Sequence, residues 1–91
     1  MIEAVMLNPG DNIGVALVDL KPGAEVKIYG REVRVKLAEP IPYQHKFSVT
    51  PIDSGQEIIK DGVLIGKATQ DIAQGQHVHT HNMTGLRLKV N

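Results

Sequence analysis

Apolar and polar residues alternate most cleanly in Glu32–Leu37, "EVRVKL". Val33, Val35 and Leu37 fall on one side of an extended chain, and Arg34 and Lys36 fall on the other. That period of two predicts a strand buried on one face. "VKI" (26–28) precedes it across "YGR", so a hairpin is expected there. A second hairpin is expected at "IIK-DG-VLIG". Asp61-Gly62 between two apolar runs suits a turn whose two central residues take positive φ. "LNPGDN" (7–12) and "EPIP" (39–42) read as loops. No segment keeps a helical period over a dozen residues. Nineteen Val and Ile residues, with fourteen Gly and Pro residues between them, indicate short strands and tight turns.

One internal regularity organises the pattern. "IGVALVDLKPGAEV" (13–26) aligns with "IGKATQDIAQGQHV" (65–78) at six identical positions. "PIDSGQEI" (51–58) repeats its end. The shared core is an apolar anchor, a turn permitted by Gly23, Gly55 or Gly75, and a strand returning inward. Three similar corners in one compact all-β domain spanning residues 1–91 are therefore expected; the repeat is too short and irregular for a solenoid.

Composition narrows the function classes. A chain of 91 residues buries only about 60–65% of its unfolded surface, so association with a partner, a homo-oligomer included, is in keeping with its size. The absence of cysteine excludes disulfides and thiolate metal sites. The start "MIEAVMLNPG" lacks the basic and apolar segments of a targeting signal, and the longest apolar run, "IGVALV", is too short to span a bilayer. The expectation is a soluble cytoplasmic protein with no membrane role. Ten bases balance ten acids, and one Phe with two Tyr makes no stacking platform. No nucleic-acid partner is expected.

Candidate chemistry concentrates in "GQHVHTHN" (75–82), where three of the four histidines occupy alternate positions. In an extended strand His77, His79 and His81 would share one face at about 6.8 Å intervals. Two such imidazoles can converge on one ion, but three would span about 13.6 Å. A metal site would then take His77 and His79 plus a ligand from His45, Asp11 or a partner chain. Nitrogen and oxygen ligands would suit Fe, Mn or Zn. Alternatively, the imidazoles bind a carboxylate or transfer protons, or they merely mark the wet side of a strand. "GDN" (10–12) places an acid and an amide in a turn, where both are common for structural reasons. "QHKF" (44–47) places an imidazole beside an ammonium, which either holds an anion or is surface charge.

Taken together, "LNPGDNIGVAL" and "HKFSVTPIDSGQEIIKDGVLIGKATQDIAQGQHVHTHN" resemble the N-terminal domain of the altronate and galactarate dehydratase family. The specific pieces are "DN", "HKF", "IIK-x-G-x-x-IG-x-AT-x-DI-x-x-G" and "HVHTHN", in that order. Three family positions differ: Gln44 replaces the usual Gly, Asp61 an aromatic, and Gln76 a Glu. The resemblance implies a SAF domain with the β-clip fold. It also implies a lyase acting by β-elimination on a hydroxy acid, in sugar-acid or carbohydrate metabolism. Such a domain is either fused to a larger catalytic domain or forms a small subunit beside a separate large catalytic subunit. The implied substrates are altronate-type sugar acids, with water leaving, or sulfolactate, with sulfite leaving. A divalent cofactor, Fe²⁺ or Mn²⁺, is implied, held mainly by the large subunit. His77, His79 and His81 would then be catalytic residues or ligands, and Asp11, Asn12, His45, Lys46 and Asn82 would bind substrate. The competing expectation is a non-catalytic SAF binding or structural module.

Overall fold

The computed structural model describes residues 2–29 and 33–85. It contains nine short strands: β1 (Ala4–Val5), β2 (Ile13–Ala16), β3 (Glu25–Tyr29), β4 (Arg34–Lys36), β5 (Lys46–Ser48), β6 (Glu57–Lys60), β7 (Val63–Ala68), β8 (His77–Val78) and β9 (Met83–Gly85). No helix occurs among the described residues, so none is long and apolar enough to cross a membrane. One sheet runs β4-β3-β1-β2-β5-β8 and the other β6-β7-β9. Within these sheets the β1–β3 pairing is parallel and the others are antiparallel. The all-β expectation holds.

Both expected hairpins form. In β3–β4, Val26 and Val35 pair and face the core, while Lys27 and Arg34 pair on the exposed face. The strand expected over 32–37 is paired over Arg34–Lys36 only. Leu37 is still buried, but its N–H donates to Ala24 and its carbonyl accepts from Gly23 N–H at the neighbouring corner. Glu32, Gly30 and Arg31 lie outside the described residues. In β6–β7, Asp61 (φ 54°) and Gly62 (φ 76°) make the turn, as the Asp-Gly signal requires.

Among the described residues the corners number four, not three. At Gly23, Gly55 and Gly75 (φ 83°, 85° and 86°) the chain makes a turn closed by an i→i+3 bond. The bonds are Ala24 N to Lys21 O, Gln56 N to Asp53 O and Gln76 N to Ala73 O. The same turn recurs at Pro42–His45, closed by His45 N to Pro42 O at 2.9 Å, with Gln44 (φ 71°) in the glycine position. The corner carries no glycine signature because Gln44 takes the left-handed conformation there, at the cost such a conformation carries for a non-glycine residue.

The corners pair through apolar anchors, Leu20 with Ile41 and Ile52 with Ile72. Asp19 and Asp71 occupy matching repeat positions. Each carboxylate accepts the N–H two residues beyond the facing anchor, from Tyr43 and Ser54 respectively, at 2.8 Å. The repeat thus encodes two copies of a corner pair.

Two apolar cores follow. One gathers Ala4, Met6, Ala16, Leu20, Val26, Ile28, Val35, Leu37, Ile41, Phe47 and Val49. The other gathers Ile13, Ile52, Ile58, Ala68, Ile72 and Val78. The Gly75 corner packs tightly on the end of β4: a Cβ at Gly75 would sit 2.2 Å from the Lys36 carbonyl oxygen. This contact fixes where the chain enters β8 and the histidines.

Candidate functional site: a four-histidine cluster

The Gln44 corner delivers His45 to the start of β5, and the Gly75 corner delivers His77 to β8. The two strands pair with Phe47 opposite His77 and Lys46 opposite Val78. Opposite residues share a face, and alternate residues return to it. His45, Phe47 and His77 therefore share one face of the ladder, while Lys46 and Val78 take the other. The adjacent His45 and Lys46 are separated by the pleat. Lys46 is half-buried.

The extended "HVHTH" strand does not exist. Pairing in β8 stops at Val78, and the chain turns at His79–Asn82. Asn82 causes the turn. Its side-chain carbonyl accepts the His79 N–H (2.9 Å), its amide donates to the His77 carbonyl (2.8 Å), and its own N–H donates to the His79 carbonyl (3.1 Å). Asn82 is 2% exposed, and its side-chain oxygen and nitrogen are both committed to backbone. The turn gathers the rings that a straight strand would spread apart.

All four histidines meet. The His45 and His77 ring centroids are 5.0 Å apart, His45 and His79 5.0 Å, His77 and His79 5.4 Å, and His77 and His81 5.7 Å. Nδ1 of His45 lies 2.8 Å from Nε2 of His77, a hydrogen-bond distance. That separation plus one ring radius on each side accounts for nearly the whole 5.0 Å between the centroids. The bond therefore runs edge to edge, close to the planes of both rings.

Several other groups hold the cluster. A Glu39 carboxylate oxygen accepts the His77 N–H at 3.0 Å. The buried Ser48 hydroxyl donates to the Ala73 carbonyl, and its backbone exchanges bonds with Gly75 and Gln76. Burial lowers the His77 pKa below its ordinary 6.5. The neighbouring imidazoles His45, His79 and His81 push the same way, and Glu39 opposes them. Near neutral pH this environment favours an uncharged His77.

The remaining expected residues lie elsewhere. Asp11 is buried, and its carboxylate accepts the N–H groups of Asp61 (2.9 Å), Gly62 (2.9 Å) and Asn8 (3.3 Å). Asn12 bridges to β6, donating to the Glu57 carbonyl and accepting from Ile59 N–H. Both hold the β6–β7 hairpin, and neither enters the histidine cluster. Glu39, Ser48 and the Gln44 corner are the supporting parts that the sequence did not announce. Glu39 carried no motif, and Ser48 followed "HKF" as one more strand residue.

The arrangement does not match a metal site held by this chain alone. Among the described residues, no three His, Asp or Glu side chains are set to close on one ion. His45 and His77 each direct one nitrogen at the other ring. The cluster can donate and accept protons, and its ring N–H groups can bind an anionic or hydroxylated ligand.

The altronate/galactarate dehydratase SAF domain matches residues 2–86, which include every element of this cluster. The chain belongs to that family. Similar proteins include the altronate dehydratases of Escherichia coli K12, 40% identical over 81 residues, and of Bacillus subtilis 168, 36% identical over 82 residues. Those matches cover 89% and 90% of this chain but only 16% of each relative. The (2R)-sulfolactate sulfo-lyase subunit alpha of Chromohalobacter salexigens is 30% identical over 91 residues, covering 94% of this chain and 97% of that protein. The all-β architecture is the one the SAF family leads one to expect.

Proposed function

We propose that this SAF domain supplies the imidazole wall of a composite active site in an altronate-dehydratase-type hydro-lyase. The observation that carries this reading is the meeting of all four histidines around the His45–His77 hydrogen bond. Relatives named altronate dehydratase span far more chain than this one, which supports a reading in which a larger catalytic portion supplies the rest of the site. That portion is the expected partner, as a separate subunit or as a fused domain.

The chemistry is β-elimination from a hydroxy acid. A base removes the proton α to the carboxylate, and an acid protonates the β-hydroxyl, because hydroxide leaves poorly. His77, kept neutral by burial, has the character of the base. His79 and His81 flank it and bind substrate oxygens through ring N–H groups. Asn82 serves the site by holding the turn that gathers the rings, whereas Asp11 and Asn12 hold the β6–β7 hairpin away from it, and Lys46 faces the other side of the ladder. A divalent ion such as Fe²⁺ or Mn²⁺, held by the larger portion, would supply electrostatic stabilisation of the substrate's developing charge.

A second reading is favoured by one observation. The match to sulfolactate sulfo-lyase subunit alpha runs the length of a stand-alone small chain. There the same wall would serve elimination of sulfite, a better leaving group with less need of an acid.

The test is capture of partners with the intact chain as bait. The captured material is then assayed, with Fe²⁺ or Mn²⁺, on altronate, galactarate and sulfolactate. The proposal expects one large partner, or a large fused chain, with altronate or galactarate turnover. Sulfolactate turnover alone would establish the second reading. A captured complex inactive on all three would point to a non-catalytic module.

A further inference from the structure

We propose that His45 and His77 work as one proton-transfer pair, in which a proton taken up at the outer nitrogen of one ring is matched by a proton released at the outer nitrogen of the other. This rests on the composite-site reading above and assigns both the acid and the base within it.

The inference starts from the contact between Nδ1 of His45 and Nε2 of His77 at 2.8 Å. Two bare nitrogens at that distance would repel, and two N–H groups would collide, so one proton lies between them. Each neutral imidazole carries one ring proton. If Nε2 of His77 donates, Nδ1 of His77 is bare and Nε2 of His45 carries the second proton. If Nδ1 of His45 donates, the outer nitrogens exchange roles. In either arrangement the pair presents one acid and one base, and moving the bridging proton inverts them.

The pair is also held for this task. The bond lies close to the plane of both rings, where the lone pair and the N–H point. His45 is fixed at the Gln44 corner, with its N–H on the Pro42 carbonyl and its own carbonyl accepting from Ala16. His77 is fixed by strand pairing, by Glu39 and by Asn82. His79 lies nearly parallel to both rings, at 5.0 and 5.4 Å.

The step balances for elimination of water. Nδ1 of His77 takes the proton from the substrate's α carbon, and the C–H electron pair forms the α–β double bond. The bond from the β carbon to its hydroxyl oxygen breaks with both electrons going to oxygen. That oxygen takes the proton from Nε2 of His45 and leaves as water. The bridging proton passes from Nε2 of His77 to Nδ1 of His45, so both rings end neutral. Exchange of one proton with solvent at each outer nitrogen restores the first arrangement.

Two measurements test the pair. In the intact chain labelled with nitrogen-15 at histidine, NMR should show coupling through the hydrogen bond between these two nitrogens. Each ring should have one protonated and one bare nitrogen. Absence of coupling would overturn the proposal. So would its loss on one equivalent of Zn²⁺ with both rings shifting together, since the contact would then mark a metal site. In the assembled enzyme, His45→Gln and His77→Gln should each lower kcat by about 10²–10⁴-fold. The double variant should be little worse than either, because residues acting as a unit are non-additive. Losses that multiply would overturn the pair while leaving the composite site standing. Full activity in all three variants, with the complex still formed, would overturn both.

Discussion

Asn82→Ala tests the turn that assembles the cluster. The substitution removes an acceptor from the His79 N–H at 2.9 Å and a donor from the His77 carbonyl at 2.8 Å. Asn82 is 2% exposed, so little water can replace its amide without rearrangement. A buried backbone group left without a partner costs about 1–3 kcal/mol. His79 is exposed and His77 half-buried, so both groups sit toward the low end, and the pair sums to about 2–3 kcal/mol. A domain of this size has a total stability of about 5–13 kcal/mol. Each kcal/mol moves its melting temperature by about 4–8 °C, so a fall of roughly 10–20 °C is expected. Urea titration of the variant measures the free energy, and a thermal scan measures the shift. Asn82→Asp keeps the acceptor but loses the donor, and should fall between wild type and Asn82→Ala. Histidine ring signals should also change in Asn82→Ala, because the turn that gathers them is released. A loss below about 0.5 kcal/mol with unchanged ring signals would refute the account of Asn82.

Three further outcomes follow from the frame. Gln44→Gly should stabilise the domain by about 0.5–1 kcal/mol in urea titration, because relief of left-handed strain exceeds the backbone entropy of glycine. Gly75→Ala should destabilise it by about 3 kcal/mol or more, or abolish cooperative unfolding in circular dichroism. Its Cβ would meet the Lys36 carbonyl oxygen at 2.2 Å in a left-handed conformation. Stability should also fall on acidification below pH 6.5. His77 has a lowered pKa when folded, so the unfolded chain binds more protons there. Its contribution is complete above pH 6.5 and is lost as the pH falls toward the folded value. His77→Gln should flatten that part of the pH–stability curve measured by urea titration.

The sequence was most readable where one residue type answers one local demand. Val33, Val35 and Leu37 alternate with Arg34 and Lys36, and a half-buried strand follows from that period alone. Asp61-Gly62 and the three glycine corners are visible because few residues tolerate positive φ. The fourth corner was hidden because Gln44 adopts a glycine's conformation, held there by surrounding bonds. The path of "HVHTH" is hidden for a related reason. Its alternation imitates a strand, while its actual path is set by Asn82 bonding back to His77 and His79. The meeting of His45 with His77 depends on the β5–β8 register between segments more than thirty residues apart. No local pattern encodes that register, since β8 has only two residues. Asp11 and Asn12 stood out as polar residues in a turn, but only the fold shows that hairpin backbone claims them.

The proposed imidazole wall is tested by turnover of the assembled complex carrying His77→Ala in this chain, with complex formation checked by size-exclusion chromatography. An intact complex is expected, with kcat on the proposed hydroxy-acid substrate lowered by about 10²-fold or more. An intact complex with wild-type kcat would contradict that reading and leave the histidine cluster as a structural feature of the fold.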